Sequence, residues 1–156
     1  VSLAPASLPF VDEHSVAIEA DREASWVSLQ RVLEATGSSG FARYARLIRA
    51  VDTAASGPRP LSAGSAFPGF HVVTADEPQH LALAGRHSFS DYALIFHLDE
   101  VAPGRTVLRA ETRAEFPGVH GAIYRMLVIR SRAHVLATRR ILSAVKRTAE
   151  QHRPLR

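Results

Sequence analysis

The chain has 156 residues, 46% hydrophobic and 22% charged, which fits a globular domain with a real core and excludes the disordered and collagen-like classes. It contains no cysteine, which removes disulfide frameworks, thiolate metal sites and cysteine nucleophiles and suits a reducing, cytoplasmic setting. The formal net charge of +4 is unevenly placed: from Gly118 onward nine Lys+Arg face the single acid Glu150, leaving about −4 for the rest of the chain.

Phe10 to Ala20 reads as a first strand, with Val16 and Ile18 alternating against polar neighbours. Asp21 has the chemistry of a helix N-cap, and Glu23 sits favourably in the first turn. Trp26, Leu29 and Leu33 then recur at helical spacing up to the C-capping Gly37. Phe41, Tyr44, Leu47, Ile48 and Val51 mark a second short helix, and Thr53 to Gly69, rich in Ala, Ser, Gly and Pro, reads as a flexible linker or loop.

Four strands follow as a meander: Phe70 to Asp76, Leu81 to Phe89, Tyr92 to Leu98 and Thr106 to Phe116. A two-residue turn at Ser90-Asp91 sets one apolar face, holding Leu81, Leu83, Gly85, His87 and Phe89 beside Tyr92, Leu94, Phe96 and Leu98. Thr106, Leu108, Ala110 and Thr112 continue it, with Ala110 opposite Leu94. Arg86, His97, Asp99, Arg109, Glu111, Arg113 and Glu115 fall on the other face, which is solvated.

Gly118 to Arg147 is the longest helical pattern. Val128, Val135 and Leu142 form one stripe, and Tyr124, Ser131, Thr138 and Val145 the next. Arg125, Arg132, Arg139 and Lys146 recur at seven-residue intervals on a separate face, so the helix is amphipathic and its apolar side faces the sheet. Strand, two short helices, a meander and a long C-terminal helix make an α+β order, with residues 10–150 as one domain and 1–9 and 151–156 as tails.

That order resembles the START-like (SRPBCC) helix-grip superfamily, which includes polyketide cyclase/dehydrase-like proteins, plant pathogenesis-related allergens and lipid-transfer domains. The likeness rests on Val16-Ala17-Ile18-Glu19-Ala20-Asp21-Arg22-Glu23 followed by Trp26 and Leu29, on Phe67-Pro68-Gly69, and on Ile141-Leu142-Ser143-Ala144-Val145-Lys146. The resemblance implies a curved antiparallel sheet gripping the C-terminal helix around an apolar cavity.

Polar groups on the inner face admit two readings. Either His87, Tyr92 and Thr112, with Tyr124, Ser131 and Thr138 of the helix, bond to one another and to water, or they line a cavity and orient a ligand. The resemblance favours the cavity, walled also by Leu94, Phe96, Leu108, Ala110 and Val128, with a small hydrophobic molecule (lipid, polyketide or isoprenoid-like) as partner. An enzyme alternative is a cyclase or dehydratase with His87 as general base and Tyr92 polarising a carbonyl. A third reading docks a partner on the arginine stripe, which also leaves a homodimer open.

No metal or other cofactor is expected: the eight histidines form no His-x-x-His or His-x-x-x-His pair. Gly-x-Ser-x-Gly, Walker and Gly-x-Gly-x-x-Gly patterns are missing, and no aromatic residues interleave with the arginines, so nucleic acid is not expected either. No apolar run approaches the roughly 20 residues that span a bilayer, and Val1 to Pro9 does not read as a signal peptide.

Overall fold

The computed structural model describes residues 4–36 and 50–152, with residues 127–131 as backbone alone. The predicted helix over Phe41 to Val51 lies almost wholly outside the described residues. The first strand, β1, runs from Phe10 to Ile18, and the first helix, α1, from Arg22 to Thr36. Asp21 caps α1 as its side chain suggests, Oδ1 accepting the Ala24 N–H at 2.7 Å. Ser25, Trp26, Leu29 and Leu33 are the buried side of that helix.

The remaining strands are β2 (Ala66–Phe67), β3 (Phe70–Asp76), β4 (His80–His87), β5 (Ser90–Ala102) and β6 (Arg105–Glu115). They form one antiparallel sheet in the order β1-β6-β5-β4-β3-β2. Register shifts near Phe10, Val72 and Glu100 insert extra residues, and such bulges bend and twist the strands that carry them. The result is a curved α+β sheet.

One hairpin differs from the sequence reading. His87 pairs with Ser90, so the two-residue turn is Ser88-Phe89 rather than Ser90-Asp91. Each β4 residue therefore meets a β5 partner four positions away from the one expected. Because four is even, every side chain keeps its face. Gly85 sits opposite Tyr92, Leu83 opposite Leu94 and Leu81 opposite Phe96. Ala110 lies opposite Phe96, not Leu94, which pairs with Thr112. The β5-β6 turn is also shorter than predicted, closing at Pro103-Gly104 with Gly104 at φ +70°, a region that glycine enters without steric cost.

The predicted long helix is two. Helix α2 covers Gly118–Ser131 and α3 covers Ala133–Gln151, separated by Arg132 at φ 51° and ψ 19°. A left-handed residue turns the chain without Gly or Pro, so periodicity alone gave no warning of it. The break resets the helical phase, and the stripes drawn across it do not run on. Leu142 is buried and Val135 half-buried, while Val128 belongs to the residues known only as backbone. Arg125, Arg132 and Arg139 are exposed, but Lys146 turns inward, donating to the Ala17 carbonyl at 2.7 Å and pairing with Glu150 at 2.6 Å. Val119, Ile123 and Met126 of α2 are exposed as well.

The strain at Arg132 makes a simple prediction. Arg132→Gly should raise stability by about 0.5 kcal/mol, because glycine accepts positive φ freely and the arginine side chain is exposed. Chemical denaturation of both proteins checks it; a loss of stability would mean that the guanidinium holds the junction.

The core occupies one half of the inner face. Ile18, Leu29, Leu33, Leu81, Phe96, Leu98 and Leu108 meet Leu142, Val145 and Ala149 from the second half of α3. On the outer face, arginines and carboxylates pair: Arg86 with Asp91, Arg109 with Asp99 and Glu13, and Arg113 with Glu111. The turn at Pro5–Ser7 lies against β4 and β5, with Pro5 and Leu8 buried, and Arg113 donates to the Ala6 and Leu8 carbonyls.

The stretch from Thr53 to Gly69 is not a bare linker. Gln30 of α1 donates to the Leu61 carbonyl at 2.8 Å and accepts the Leu61 N–H at 2.7 Å. Ser56 and Ala66 exchange backbone hydrogen bonds, and Ser65 donates to the Pro58 carbonyl. This loop delivers Phe67 and Gly69 to the site described next.

Candidate functional site

Among the described residues, none fills the other half of the inner face. Between the sheet, the C-terminal end of α1 and the face of α3 that runs from Ala133 to Arg147 lies an open cavity of about 1090 Å³. Leu83, Leu94 and Phe70 give it an aliphatic and aromatic floor, and Val32, Leu33 and Thr36 of α1 form one side. The opposite side is the α3 face carrying Leu136, Ala137, Arg140, Ser143, Ala144 and Arg147.

A run of rings closes one end. Phe67 contacts Phe70 with centroids 5.7 Å apart, and Phe70 meets Tyr92 edge-on at 5.2 Å. His87 touches Tyr92 at 5.3 Å and Tyr124 at 4.9 Å, and Tyr124 stacks on Phe89 at 5.5 Å. Edge and offset contacts of this kind suit the ring quadrupoles and add to the apolar burial. Tyr124 thereby ties α2 to the sheet.

Of the side chains expected at a cavity, His87, Tyr92, Leu94, Thr112, Tyr124 and Thr138 line it. Phe96, Leu108 and Ala110 are fully buried in the packed core instead. They share the inner face but sit on the half that α1 and α3 cover. Val128 and Ser131 lie in the segment without described side chains.

Backbone groups satisfy most of the polar tips. The Tyr92 hydroxyl donates to the Gly69 carbonyl at 2.5 Å, and Thr138 donates to the His134 carbonyl one turn back at 2.9 Å. His87 Nδ1 accepts the Phe89 N–H at 3.1 Å. The neutral ring therefore carries its proton on Nε2, which makes it a donor and not a free base. The proton of the Tyr92 hydroxyl is likewise engaged. Thr112 Oγ1 is buried and has no partner among the described residues.

Sequence reasoning passed over a second polar group. Asp12, on the inner side of β1, has Oδ2 at 2.9 Å from His134 Nε2 and 3.3 Å from His14 Nε2. Burial opposes its charge, but hydrogen bonding from His134, the adjacent Thr112 hydroxyl, the His134 charge and His14 outweigh that and hold the carboxyl below its usual range. Thr112 faces this carboxylate without reaching hydrogen-bond geometry, so it acts as a nearby dipole. His134 also lines the cavity, and its Nδ1 is buried without a partner among the described residues. The three groups come from β1, β6 and α3, and no linear spacing announces them. Among the described residues, no set of three or more His, Asp or Glu side chains is arranged to hold a metal ion.

His87 is only 9% exposed, and burial lowers its pKa, with Asp91 pulling weakly the other way. His80, on β4 away from the cavity, is lowered by burial and by the neighbouring His97. For a base whose folded pKa is depressed, the unfolded chain binds more protons, so stability falls as pH drops below the ordinary value near 6.5. The loss continues down to the depressed values and then levels. His87→Asn keeps an acceptor for the Phe89 N–H and removes the titration, so its stability should fall less steeply between about pH 6.5 and 5 than the parent's. Denaturation midpoints across that window test this; parallel curves would take His87 out of the acid response.

Sheet, gripped helix and cavity together make a helix-grip fold. No family model matches the chain, and no curated protein matches it by sequence. Solved structures do resemble it. Norcoclaurine synthase from Thalictrum flavum, solved with dopamine and hydroxybenzaldehyde, aligns at a TM-score of 0.55 and 11% identity over 92% of this chain and 88% of that one. Protein Ms6760 from Mycobacterium smegmatis aligns at 0.52 and 10% identity over 95% and 99%, and CalU16 from Micromonospora echinospora at 0.50 and 13% over 89% and 83%. At such identities the likeness concerns the fold and not the chemistry. None of the helices described is long and apolar enough to cross a membrane.

Proposed function

We propose that this protein encloses a small hydrophobic molecule, of lipid, polyketide or isoprenoid-like character, between the sheet and α3. The observation that carries the reading is the cavity itself. A packed domain leaves few voids larger than a water molecule, whereas about 1090 Å³ is the size of a ligand site. Its walls are mainly apolar, and the hydroxyls of Tyr92 and Thr138 are already bonded to backbone, so filling it with an apolar body strands neither.

The test is titration with an uncharged naphthalene-type fluorophore, N-phenyl-1-naphthylamine, followed by native mass spectrometry of the protein as purified. Saturable one-to-one uptake, or a retained lipid-sized mass, is the expected result. Neither uptake nor retained mass would remove the binding reading.

A catalytic reading finds its support in one place. Asp12 orients His134 through Nε2 and leaves Nδ1 as an acceptor with no partner among the described residues, which is the arrangement a general base needs. Any cyclase or dehydratase activity would then depend on His134, with His87 confined to hydrogen-bond donation. Turnover of a poly-β-keto substrate that is lost in His134→Asn but kept in His87→Asn would favour it.

A further inference from the structure

The cationic side chains of α3 bear on what the cavity takes. Arg139, Arg140 and Arg147 all line it, and among the described residues none of the three has a hydrogen-bond or ion-pair partner. The sheet arginines differ: Arg86, Arg105, Arg109 and Arg113 are each paired with a carboxylate. The contrast follows from composition. Glu150 is the single acid after Gly118, and its Oε1 already accepts from Lys146 and from the Glu19 N–H. Among the described residues, no aspartate or glutamate lines the cavity.

The spacing gives these charges a use. Arg140 and Arg147 are two helical turns apart on one face, roughly 10 Å along the axis. Ser143 and Ala144, both small, lie between them and also line the cavity. Room is thus left over the helix for a head group flanked by two guanidinium forks. Next to an apolar wall a charge is less screened than in open water, and guanidinium binds carboxylate, sulfate or phosphate in a two-point manner that ammonium cannot.

We propose that the cavity's ligand is an anionic amphiphile, its apolar body lying against the aromatic and aliphatic walls and its carboxylate, sulfate or phosphate head held at the mouth by Arg140 and Arg147. This rests on the cavity-binding reading above and narrows its ligand class.

The experiment is competition against bound N-phenyl-1-naphthylamine by three ligands of one chain length: decanoate, decanol and decylammonium, each below its aggregation concentration. Decanoate is expected to displace the probe about tenfold more effectively than decanol, and decylammonium least. In the Arg140→Gln/Arg147→Gln double variant, shown folded by its melting temperature, the decanoate-to-decanol ratio should fall to about one. Raising the salt concentration should shrink the ratio in the parent.

Equal displacement by decanoate and decanol, with the probe still bound, would overturn the anionic ligand and leave the cavity reading standing. Failure of the parent to bind the probe would remove both. A third arm uses sedimentation with phosphatidylglycerol vesicles. If the double variant loses vesicle binding while decanoate shows no advantage over decanol, the arginines serve an anionic surface and the proposal falls.

Discussion

Replacing Gly85 with valine is expected to destabilise the protein by about 3 kcal/mol, lowering the melting temperature by roughly 6–12 °C. Gly85 lies directly opposite Tyr92 in the β4-β5 ladder, and the Tyr92 ring crosses over it so that the hydroxyl reaches the Gly69 carbonyl. A Cβ at Gly85 would come within 3.0 Å of both the Gly69 oxygen and the Tyr92 ring. One is backbone and the other is a ring fixed by its hydrogen bond, so neither can move away cheaply. Tyr92→Phe is the control: it removes only the hydrogen bond and should cost about 1 kcal/mol. In the Tyr92→Ala background the valine should cost less than in the parent but still destabilise, because the ring it strikes has gone while the closer Gly69 oxygen remains. A full penalty there would place the strain on Gly69 alone.

This clash shows why Gly85 stands in the middle of an otherwise apolar strand, something the sequence could not explain. Alternation identified the face on which Gly85 lies, and that assignment survived a mistaken turn because the error was an even number of residues. What alternation cannot show is which ring covers which backbone atom. The Asp21 cap and the buried Trp26, Leu29 and Leu33 were legible for a different reason: they depend on contacts within one helix or on its facing direction.

The cavity was legible only in part. A strand pattern marks the inner face, but whether a given position on it is packed or open depends on what the helices cover. Phe96, Leu108 and Ala110 are fully buried in the core and do not line the cavity, whereas Leu94, at the edge of that core, and Thr112 do. The left-handed Arg132 was the larger obstacle. It restarts the helical phase between Arg125 and Arg139, so a seven-residue arginine stripe drawn through it does not run on from α2 into α3. In the structure Arg139 stands at the cavity and Lys146 is bonded to β1. Phe70, Ala137, Arg140 and Arg147 were missed for the same class of reason: each enters the site through tertiary placement.

Two alanines that look alike in sequence should separate these regions by experiment. Ala110 is completely buried, opposite Phe96 on one side and His14 on the other, within the packed half of the inner face. Ala110→Phe should overpack that region and cost about 1–3 kcal/mol or more, by forcing neighbours off their rotamers. Ala137 is exposed in α3 and lines the cavity. Ala137→Phe has open space to fill, so its stability should stay within about 0.5 kcal/mol of the parent. Its ring would occupy volume that a bound naphthalene-type probe needs, and uptake should fall sharply. The measurement pairs the melting temperature of each variant with probe titration. A melt lowered in Ala110→Phe and preserved in Ala137→Phe, with uptake lost in the latter, is the outcome expected of a half-packed, half-open grip. Equal destabilisation by both substitutions would mean that α3 closes onto the sheet in solution, leaving no volume at Ala137 for a ligand to share.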